Sequence, residues 1–254
     1  MVRDMENKVL LSIKDLSIGH EGRILCSGIS FDICEGDCIM LCGANGSGKT
    51  TLMKTLASIT PDNDRSESPK CIMIPARIPK VAGFTLKEFV RVSCFSKSDL
   101  FGKLSTSEEE ALDQAIAALG LTNLADRDIS TLSDGEFQKA GIASALVRKA
   151  DIIMLDEPTA FLDAENRISV LSTLRKLCKE TATGGYGKSE HRPAIIFSTH
   201  DLHDGLAVCT KVFALGADKQ FHTSSADDST DVTAHSSGDS PESKAATVSR
   251  IFSR

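Results

Sequence analysis

The sequence has no long apolar run, no excess of positive charge and no recognisable export signal. Its longest apolar stretches, such as residues 152–155 and 194–197, have the length of a strand, whereas a membrane-spanning helix needs roughly 18 or more apolar residues. The first residues, MVRDMENKVLLSIKD, carry charges where a secretory signal has its apolar core. We therefore expect a cytoplasmic protein that does not cross a bilayer by itself.

The charge balance is mildly acidic, with 35 Asp and Glu against 29 Lys and Arg and a formal net charge of −6. Such a chain has no overall basic footprint, so we expect no nucleic-acid partner. A length of 254 residues with 41% hydrophobic and 25% charged residues predicts one large α/β domain or one core with a subsidiary lobe.

The 8 cysteines do not indicate a disulfide framework, because such frameworks belong to short secreted chains. We expect reduced thiols. Cys34, Cys38 and Cys42 recur every four residues, but Gly36 and a predicted strand intervene. We therefore expect no metal site at these cysteines.

Apolar, β-rich segments separated by glycine-containing turns predict an N-terminal sheet from residues 9–13, 29–33 and 38–42. Further on, two short apolar strands at 152–155 and 194–198 flank a helix-patterned segment around 167–178. A strand, a helix and a strand in succession predict a parallel sheet.

A helical insert is predicted over about residues 85–148. Within it, Ser107 to Glu110 has the spacing of a capping box, and Gly120 is a typical helix stop. Apolar residues between them recur at helical intervals: Leu112, Ala115, Ile116 and Leu119. Residues 218–254 are rich in Ser, Thr and Asp, so we expect a loosely ordered tail after a domain of residues 1–217.

Residues 43–50, GANGSGKT, fit the pattern G-x-x-x-x-G-K-[ST] between a predicted strand and a predicted helix. The glycines let backbone N–H groups point at one anion, and the helix adds its positive end. A purely flexible turn would leave the lysine unexplained. We expect Lys49 to reach the β- and γ-phosphates of a nucleotide and Thr50 to complete a Mg²⁺ shell. The predicted nucleotide-binding residues here are Gly43, Asn45, Gly46, Ser47, Gly48, Lys49, Thr50 and Thr51.

Residues 151–157, DIIMLDE, form an apolar strand that ends in two carboxylates. In a parallel sheet this end lies beside the phosphate loop. Asp156 is suited to hold Mg²⁺ through water, and Glu157 to act as the general base on the attacking water. Taken alone, the pair is also compatible with a solvated strand end.

Four motifs together resemble those of ABC-type ATPases: GANGSGKTT, LSDGEFQKAGIASAL (132–146), IIMLDEPTAFLD (152–163) and FSTHDL (197–202). They follow the family's order, as Walker A, signature helix, Walker B with D-loop, and switch histidine, and the resemblance covers about residues 8–217. It implies an α/β P-loop NTPase of the ABC type. Such a fold has a mostly parallel central sheet, an N-terminal antiparallel β subdomain and a helical subdomain.

The resemblance also implies a homodimer that clasps two ATP molecules head to tail. Ser133 and Gly135 would then donate to the γ-phosphate across the dimer, although their motif alone equally fits a capped helix start. His200 would be the catalytic switch histidine, alongside Glu157 and Lys49. Asp163 would couple the two sites. His20 stands where the family has an aromatic residue against adenine, the alternative being simple exposure.

Three positions depart from the family pattern. Ala76 occupies the place of the Q-loop glutamine. The resemblance then implies that Mg²⁺ loses a protein ligand, for which water or a nearby side chain could substitute, and that the sensor of the transmembrane partner is altered. Asp134 replaces the first of two signature glycines, and we expect its carboxylate to face away from phosphate. Ser144 replaces a common arginine.

Residues 83–89, GFTLKEF, together with the signature and Walker B regions, resemble most the ATPases of iron–siderophore, haem and cobalamin importers. This implies an ATP-hydrolysing subunit that sits on the inner face of the cell membrane with transmembrane permease subunits. Two alternatives stay open. One is a soluble ABC ATPase, for instance in iron–sulfur cluster assembly, and the other is a nucleotide-gated module with weak hydrolysis.

Overall fold

The computed structural model describes residues 8–20, 22–60, 68–94, 104–179, 192–216 and 218–225. In these ranges the strands are β1 Val9–His20, β2 Arg23–Cys34, β3 Cys38–Gly43, β4 Cys71–Ile74, β5 Ile152–Leu155, β6 Ala194–Ser198, β7 Lys211–Leu215 and β8 Phe221–Ser225. The helices are α1 Lys49–Ile59, α2 Leu86–Val92, α3 Thr106–Ala118, α4 Asp134–Val147, α5 Ala164–Lys179 and α6 Leu202–Val208. Two single 3₁₀ turns, Thr122–Leu124 and Ile129–Thr131, lie between α3 and α4.

The described strands form a two-stranded antiparallel sheet, β1-β2, and a six-stranded sheet of order β4-β5-β6-β3-β7-β8. All neighbours in the larger sheet are parallel except β8, which runs antiparallel to β7. This arrangement confirms the α/β class with a mostly parallel central sheet and an antiparallel N-terminal unit. The predicted parallel pairing of β5 and β6 is also confirmed.

One predicted strand belongs to a different sheet. Residues 38–42 were expected in the N-terminal sheet, but β3 lies at the centre of the larger sheet between β6 and β7. Its residues Cys38 to Cys42 are all buried, whereas burial alternates along most of β2. A strand covered on both faces reads as a continuous apolar run, which is the pattern of a central parallel strand.

The sheet also extends past the predicted start of the tail. Residues 221–225, expected to be loosely ordered, form β8 at the sheet edge. The Phe221 ring lies 5.5 Å from that of Phe31 and 5.3 Å from that of Phe213. One aromatic side chain and backbone pairing to β7 are enough to form a strand whose other side chains are polar. The predicted start of the tail, at residue 218, was therefore placed too early by composition alone. The rest of the predicted tail, 226–254, lies outside the described residues.

The described parts of residues 85–148 contain the predicted helices, but the predicted cap of α3 was wrong by two residues. Ser105, not Ser107, accepts the backbone N–H of Glu108, whose carboxylate accepts the Ser105 N–H. Both serines have a glutamate three residues later, so spacing alone did not distinguish them. Gly120 follows the helix end with φ of +70°, in agreement with the predicted stop.

The 8 cysteines are free thiols, and within the described ranges no cluster of His, Cys, Asp or Glu side chains is arranged to bind a metal. Among the same residues, no helix has both the length and the apolarity needed to span a membrane.

Candidate active site

The central sheet brings three functional segments to one edge. Strand β6 lies between β3 and β5, with Leu41 opposite Ser198 and Leu155 opposite Phe197. The carboxyl ends of these parallel strands are therefore adjacent, and loops that follow such ends form ligand sites in open α/β sheets. The phosphate loop follows β3, the two carboxylates follow β5 and the histidine loop follows β6.

The turn of the phosphate loop requires glycine at two positions. A Cβ at Gly43 would lie 2.6 Å from the Ser47 hydroxyl oxygen and 2.9 Å from the Leu215 carbonyl oxygen. Gly48 caps the N-terminus of α1 with φ of +107°, a region that L side chains rarely adopt. The backbone can thus curl tightly before α1.

Lys49 lies inside this curl and is only 6% exposed. Its Nζ donates to the carbonyl oxygens of Gly43 at 2.9 Å and Ala44 at 3.2 Å. Burial lowers the pKa of Lys49, and the negative charges of Glu157 and Asp156 oppose this shift. The loop therefore holds a buried cation at its centre.

Ser47 provides an independent sign that the loop fits a phosphate. Its hydroxyl oxygen is buried and has no hydrogen-bond partner among the described residues. An unsatisfied buried hydroxyl is costly, so such a group in a native fold calls for an explanation. A phosphate oxygen in the loop would accept this hydrogen bond at the positive end of α1.

Asp156 is held by two hydroxyl groups. The Thr50 hydroxyl donates to its Oδ2 at 2.7 Å, and the Ser198 hydroxyl donates to its Oδ1 at 2.9 Å. Ser198 also accepts the backbone N–H of Glu157 at 2.7 Å. A carboxylate beside a threonine hydroxyl is a donor set of oxygen atoms that suits Mg²⁺. Ser198 was not predicted, although it ends a buried strand directly before the histidine loop.

Glu157 and His200 form a close pair, with His200 Nε2 2.6 Å from Glu157 Oε1. Glu157 has a φ of +47°, a conformation that costs a non-glycine residue on the order of 1–3 kcal/mol. Its side chain is 31% exposed and that of His200 is 47% exposed. The carboxylate is therefore both fixed in direction and open to water.

The loop that carries His200 is anchored from α5. Arg167 Nη1 lies 2.7 Å from Asp201 Oδ2 and 3.7 Å from Asp204 Oδ2. Asp201 in turn caps α6 by accepting the Asp204 N–H. Sequence reasoning missed Arg167 because its partners lie more than thirty residues away in the chain.

The signature motif forms the N-terminus of α4. Ser133 caps this helix and shares a capping box with Glu136. Gly135 is buried, and a Cβ there would lie 2.9 Å from Asn166 Oδ1. Asn166 donates its N–H and its Nδ2 to the Asp163 carboxylate at 2.8 and 3.1 Å. The D-loop aspartate and the signature glycine are thus joined through Asn166, a residue not predicted.

The remaining predicted residues lie around the phosphate loop. His20 is exposed at the end of β1, and a Cβ at Gly48 would lie 3.1 Å from Ile18 of the same strand. The end of β1 therefore approaches the start of α1. Asn45 is exposed in the loop, and Thr51 is partly buried in the first turn of α1.

The three residues that depart from the family pattern have the following neighbours. Ala76 follows β4 without a polar side chain, and the next residue, Arg77, stacks on the Phe161 ring at 4.2 Å. Asp134 pairs with Lys80 at 2.7 Å and is 63% exposed. Ser144 donates to the Gly141 carbonyl oxygen at 2.7 Å.

Residues 26–160 match the family model of ABC transporters. The chain belongs to this family. It is an ABC-type ATPase, which binds nucleotide and hydrolyses ATP.

Several relatives of this ATPase are known. The petrobactin import ATP-binding protein FpuD of Bacillus anthracis is 30% identical over 227 residues, or 84% of this chain and 79% of that protein. The zinc import ATP-binding protein ZnuC of Rhizobium meliloti is 30% identical over 217 residues, or 84% and 66% of the two chains. A solved structure, an inward-facing ABC transporter assigned to the metal-chelate type, shares 25% identity with a TM-score of 0.73 and covers 88% and 86%.

Proposed function

We propose that this ABC ATPase powers a membrane importer of an iron–siderophore, haem or related metal chelate. Two copies would bind ATP between them and act on two permease subunits at the inner face of the membrane. The observation that carries the catalytic part is the hydrogen-bonded chain from Thr50 through Asp156 and Ser198 to Glu157, which ends at His200.

The phosphate loop binds the nucleotide. Lys49 and the Ser47 hydroxyl meet the β- and γ-phosphates, together with backbone N–H groups of the residues predicted above, from Gly43 and Asn45 to Thr51. His20 stacks on the adenine from the end of β1. Buried donors that need no rearrangement bind anions more strongly than the same groups in water.

Thr50 and Asp156 would hold Mg²⁺, which, when bound, neutralises charge on the phosphate oxygens. Their fit rests on the two oxygen donors being already within 2.7 Å of each other. Ser198 keeps the Asp156 carboxylate in this direction through its second oxygen.

Glu157 is the general base for the attacking water. Its backbone N–H is held by Ser198 and its Oε1 atom by His200. The other carboxylate oxygen therefore has a fixed position from which to accept a proton from the water. His200, which is half-exposed beside it, also contacts the γ-phosphate. Proton transfer to a positioned base contributes about 100- to 10,000-fold to a rate.

Residues 133–135 at the N-terminus of α4, which we call the signature tip, complete the site of the second copy. Ser133 and Gly135 donate to the partner's γ-phosphate from the positive N-terminus of α4. Asp163 links the two sites, since Asn166 ties it to the helix that carries Gly135. ATP thus closes the dimer, and hydrolysis opens it.

A permease subunit would dock on the surface around α2. Val81, Phe84 and Val92 are 53%, 42% and 56% exposed. Beside them is a cleft of about 440 Å³ lined by Gly83, Phe84, Glu88, Arg91 and Val92. Exposed apolar groups with a polar rim are typical of protein–protein contact sites.

The metal-chelate cargo rests on the solved transporter of that type and on the resemblance of residues 83–89 and 132–163 to importers of this group. The zinc relative offers a second cargo class. Cargo itself is recognised by other subunits, so the distinction depends on which permease this chain joins.

The docking proposal is tested by exchanging Val92 for lysine in the tagged chain expressed in its own cells. We expect Val92→Lys to lose a co-purifying pair of permease subunits, because a charge would be buried in an apolar contact, while ATP hydrolysis stays intact. Ile168→Lys is the matched control, since Ile168 is 61% exposed on α5. Recovery of no permease with the unmodified chain would favour the soluble ATPase instead.

A further inference from the structure

Residues 77–80, which we call the brace, directly follow Ala76 and contact both elements beside the proposed dimer surface. At one end, the Arg77 guanidinium lies 4.2 Å above the Phe161 ring in the D-loop segment. At the other end, Lys80 Nζ lies 2.7 Å from Asp134 Oδ1 at the signature tip. Four residues thus join the Q-loop position to the D-loop and to the signature.

The middle of the brace packs on the signature helix. A Cβ at Gly141 in α4 would lie 2.8 Å from Ile78 Cδ1. The brace therefore packs closely against α4 at this glycine, through the Ile78 side chain. It is therefore fixed at its middle as well as at both ends.

Lys80 is the most constrained member of the brace. Besides Asp134, its Nζ donates to the Leu132 carbonyl oxygen at 2.7 Å and lies 5.6 Å from the centroid of the Phe137 ring. These partners come from the residues just before and within the first turn of α4. The Lys80 side chain is 25% exposed, and its ammonium is therefore held at the helix tip rather than free in solvent.

Asp134 creates the need for such a cation. In the chain it lies between Ser133 and Gly135, the two residues proposed to face the partner's γ-phosphate. An unpaired carboxylate there would repel the polyphosphate, and exposure alone would not remove the repulsion over a few ångströms. Lys80 offsets this charge at its source.

We propose that Lys80 is a positioning residue for ATP hydrolysis, which neutralises Asp134 so that the signature tip can accept ATP. The inference rests on the proposed function, because it requires the tip to face nucleotide. The brace thereby compensates for an acidic residue in the signature of a chain whose Q-loop position holds alanine.

The test is a double-mutant cycle of Lys80→Met and Asp134→Asn on steady-state ATP hydrolysis. We expect Lys80→Met to raise KM for ATP about tenfold at low salt, an effect of about 1.4 kcal/mol, with a smaller change in kcat. High salt should shrink the rise, because it screens the exposed carboxylate. In the Asp134→Asn background the same change should raise KM less than about twofold, since the repelling charge is gone.

Lys87→Met is the matched control, because Lys87 forms a similar pair with Asp113 at 2.6 Å that joins α2 to α3 and includes no residue of the signature motif. We expect its KM to equal that of the unmodified chain. An equal rise of KM in both Asp134 backgrounds, or no rise, would overturn the proposal, since Lys80 would then act only as a structural tie to Leu132 or not at all. Absence of hydrolysis by the unmodified chain would instead overturn the proposed function on which the inference rests.

Discussion

The phosphate-loop side and the signature side of this protein satisfy their polar groups in opposite ways. On the loop side, Lys49 is 6% exposed, and Asp156 is bonded to hydroxyls from α1 and β6. On the signature side, Asp134 is 63% exposed, and Ser133 is bonded within its own capping box. One side is assembled by three adjacent strands of one chain, while the other is a helix tip at the surface.

This difference teaches which half of the site a single chain can supply. Buried charges interact strongly and stay in place, so the loop side is organised before nucleotide arrives. The exposed tip is bonded within its own capping box and to Lys80 and, in the proposed dimer, meets nucleotide held by another copy. Substitutions on the loop side should therefore change nucleotide binding by a single chain. Substitutions on the signature side should change only the steps that need two chains, such as hydrolysis in the dimer.

The largest effect is expected on the loop side, from Lys49→Ala. Loss of the buried ammonium removes charge-assisted hydrogen bonds to phosphate, so we expect ATP affinity to fall about 100-fold or more. Isothermal titration calorimetry measures this directly. Lys54→Ala removes the same charge from an exposed position of α1 and should leave affinity near that of the unmodified chain. Undiminished binding by Lys49→Ala would contradict the assigned phosphate site.

The next effect separates chemistry from binding on the same side. Glu157→Gln keeps the shape of the side chain but removes the base, so phosphate release should fall about 100- to 10,000-fold while ATP still binds. Size-exclusion chromatography with ATP should then show an accumulated dimer. Glu165→Gln, at an exposed position in the first turn of α5, serves as the control. Equal turnover by Glu157→Gln and the unmodified chain would remove Glu157 from its role.

The smallest effect on binding is expected at the signature tip. Ser133→Ala removes a helix cap and should cost about 0.5–2 kcal/mol in the free energy of unfolding. Ser105→Ala removes the same kind of capping box from α3 and should cost a similar amount. Only Ser133→Ala should also lower ATP hydrolysis, at unchanged affinity of one chain for ATP. If both variants lose hydrolysis equally, the tip acts through stability and not through nucleotide.

The predicted loop and strand-end residues do come together, because each motif lies at the end of a strand in a parallel sheet. The strand Ile152–Leu155 and its parallel pairing to Ala194–Ser198 were predicted from apolar runs and a helix between them. The cap at Ser105 and the strand Phe221–Ser225 were not. Ser105 and Ser107 both have the spacing of a capping box, so spacing does not show which of them caps the helix. An edge strand with polar side chains has the same composition as a polar loop, so composition does not show that it is a strand.

Local pattern determined what depends on nearest neighbours: glycine where the phosphate loop curls, a strand before it and a helix after it. Tertiary structure decided which distant groups meet, such as Ser198 with Asp156, Asn166 with Gly135 and Lys80 with Asp134. The first kind of information follows from backbone geometry and the periodicity of burial. The second depends on strand order and on how α4 and α5 pack, and short-range residue spacing does not encode these.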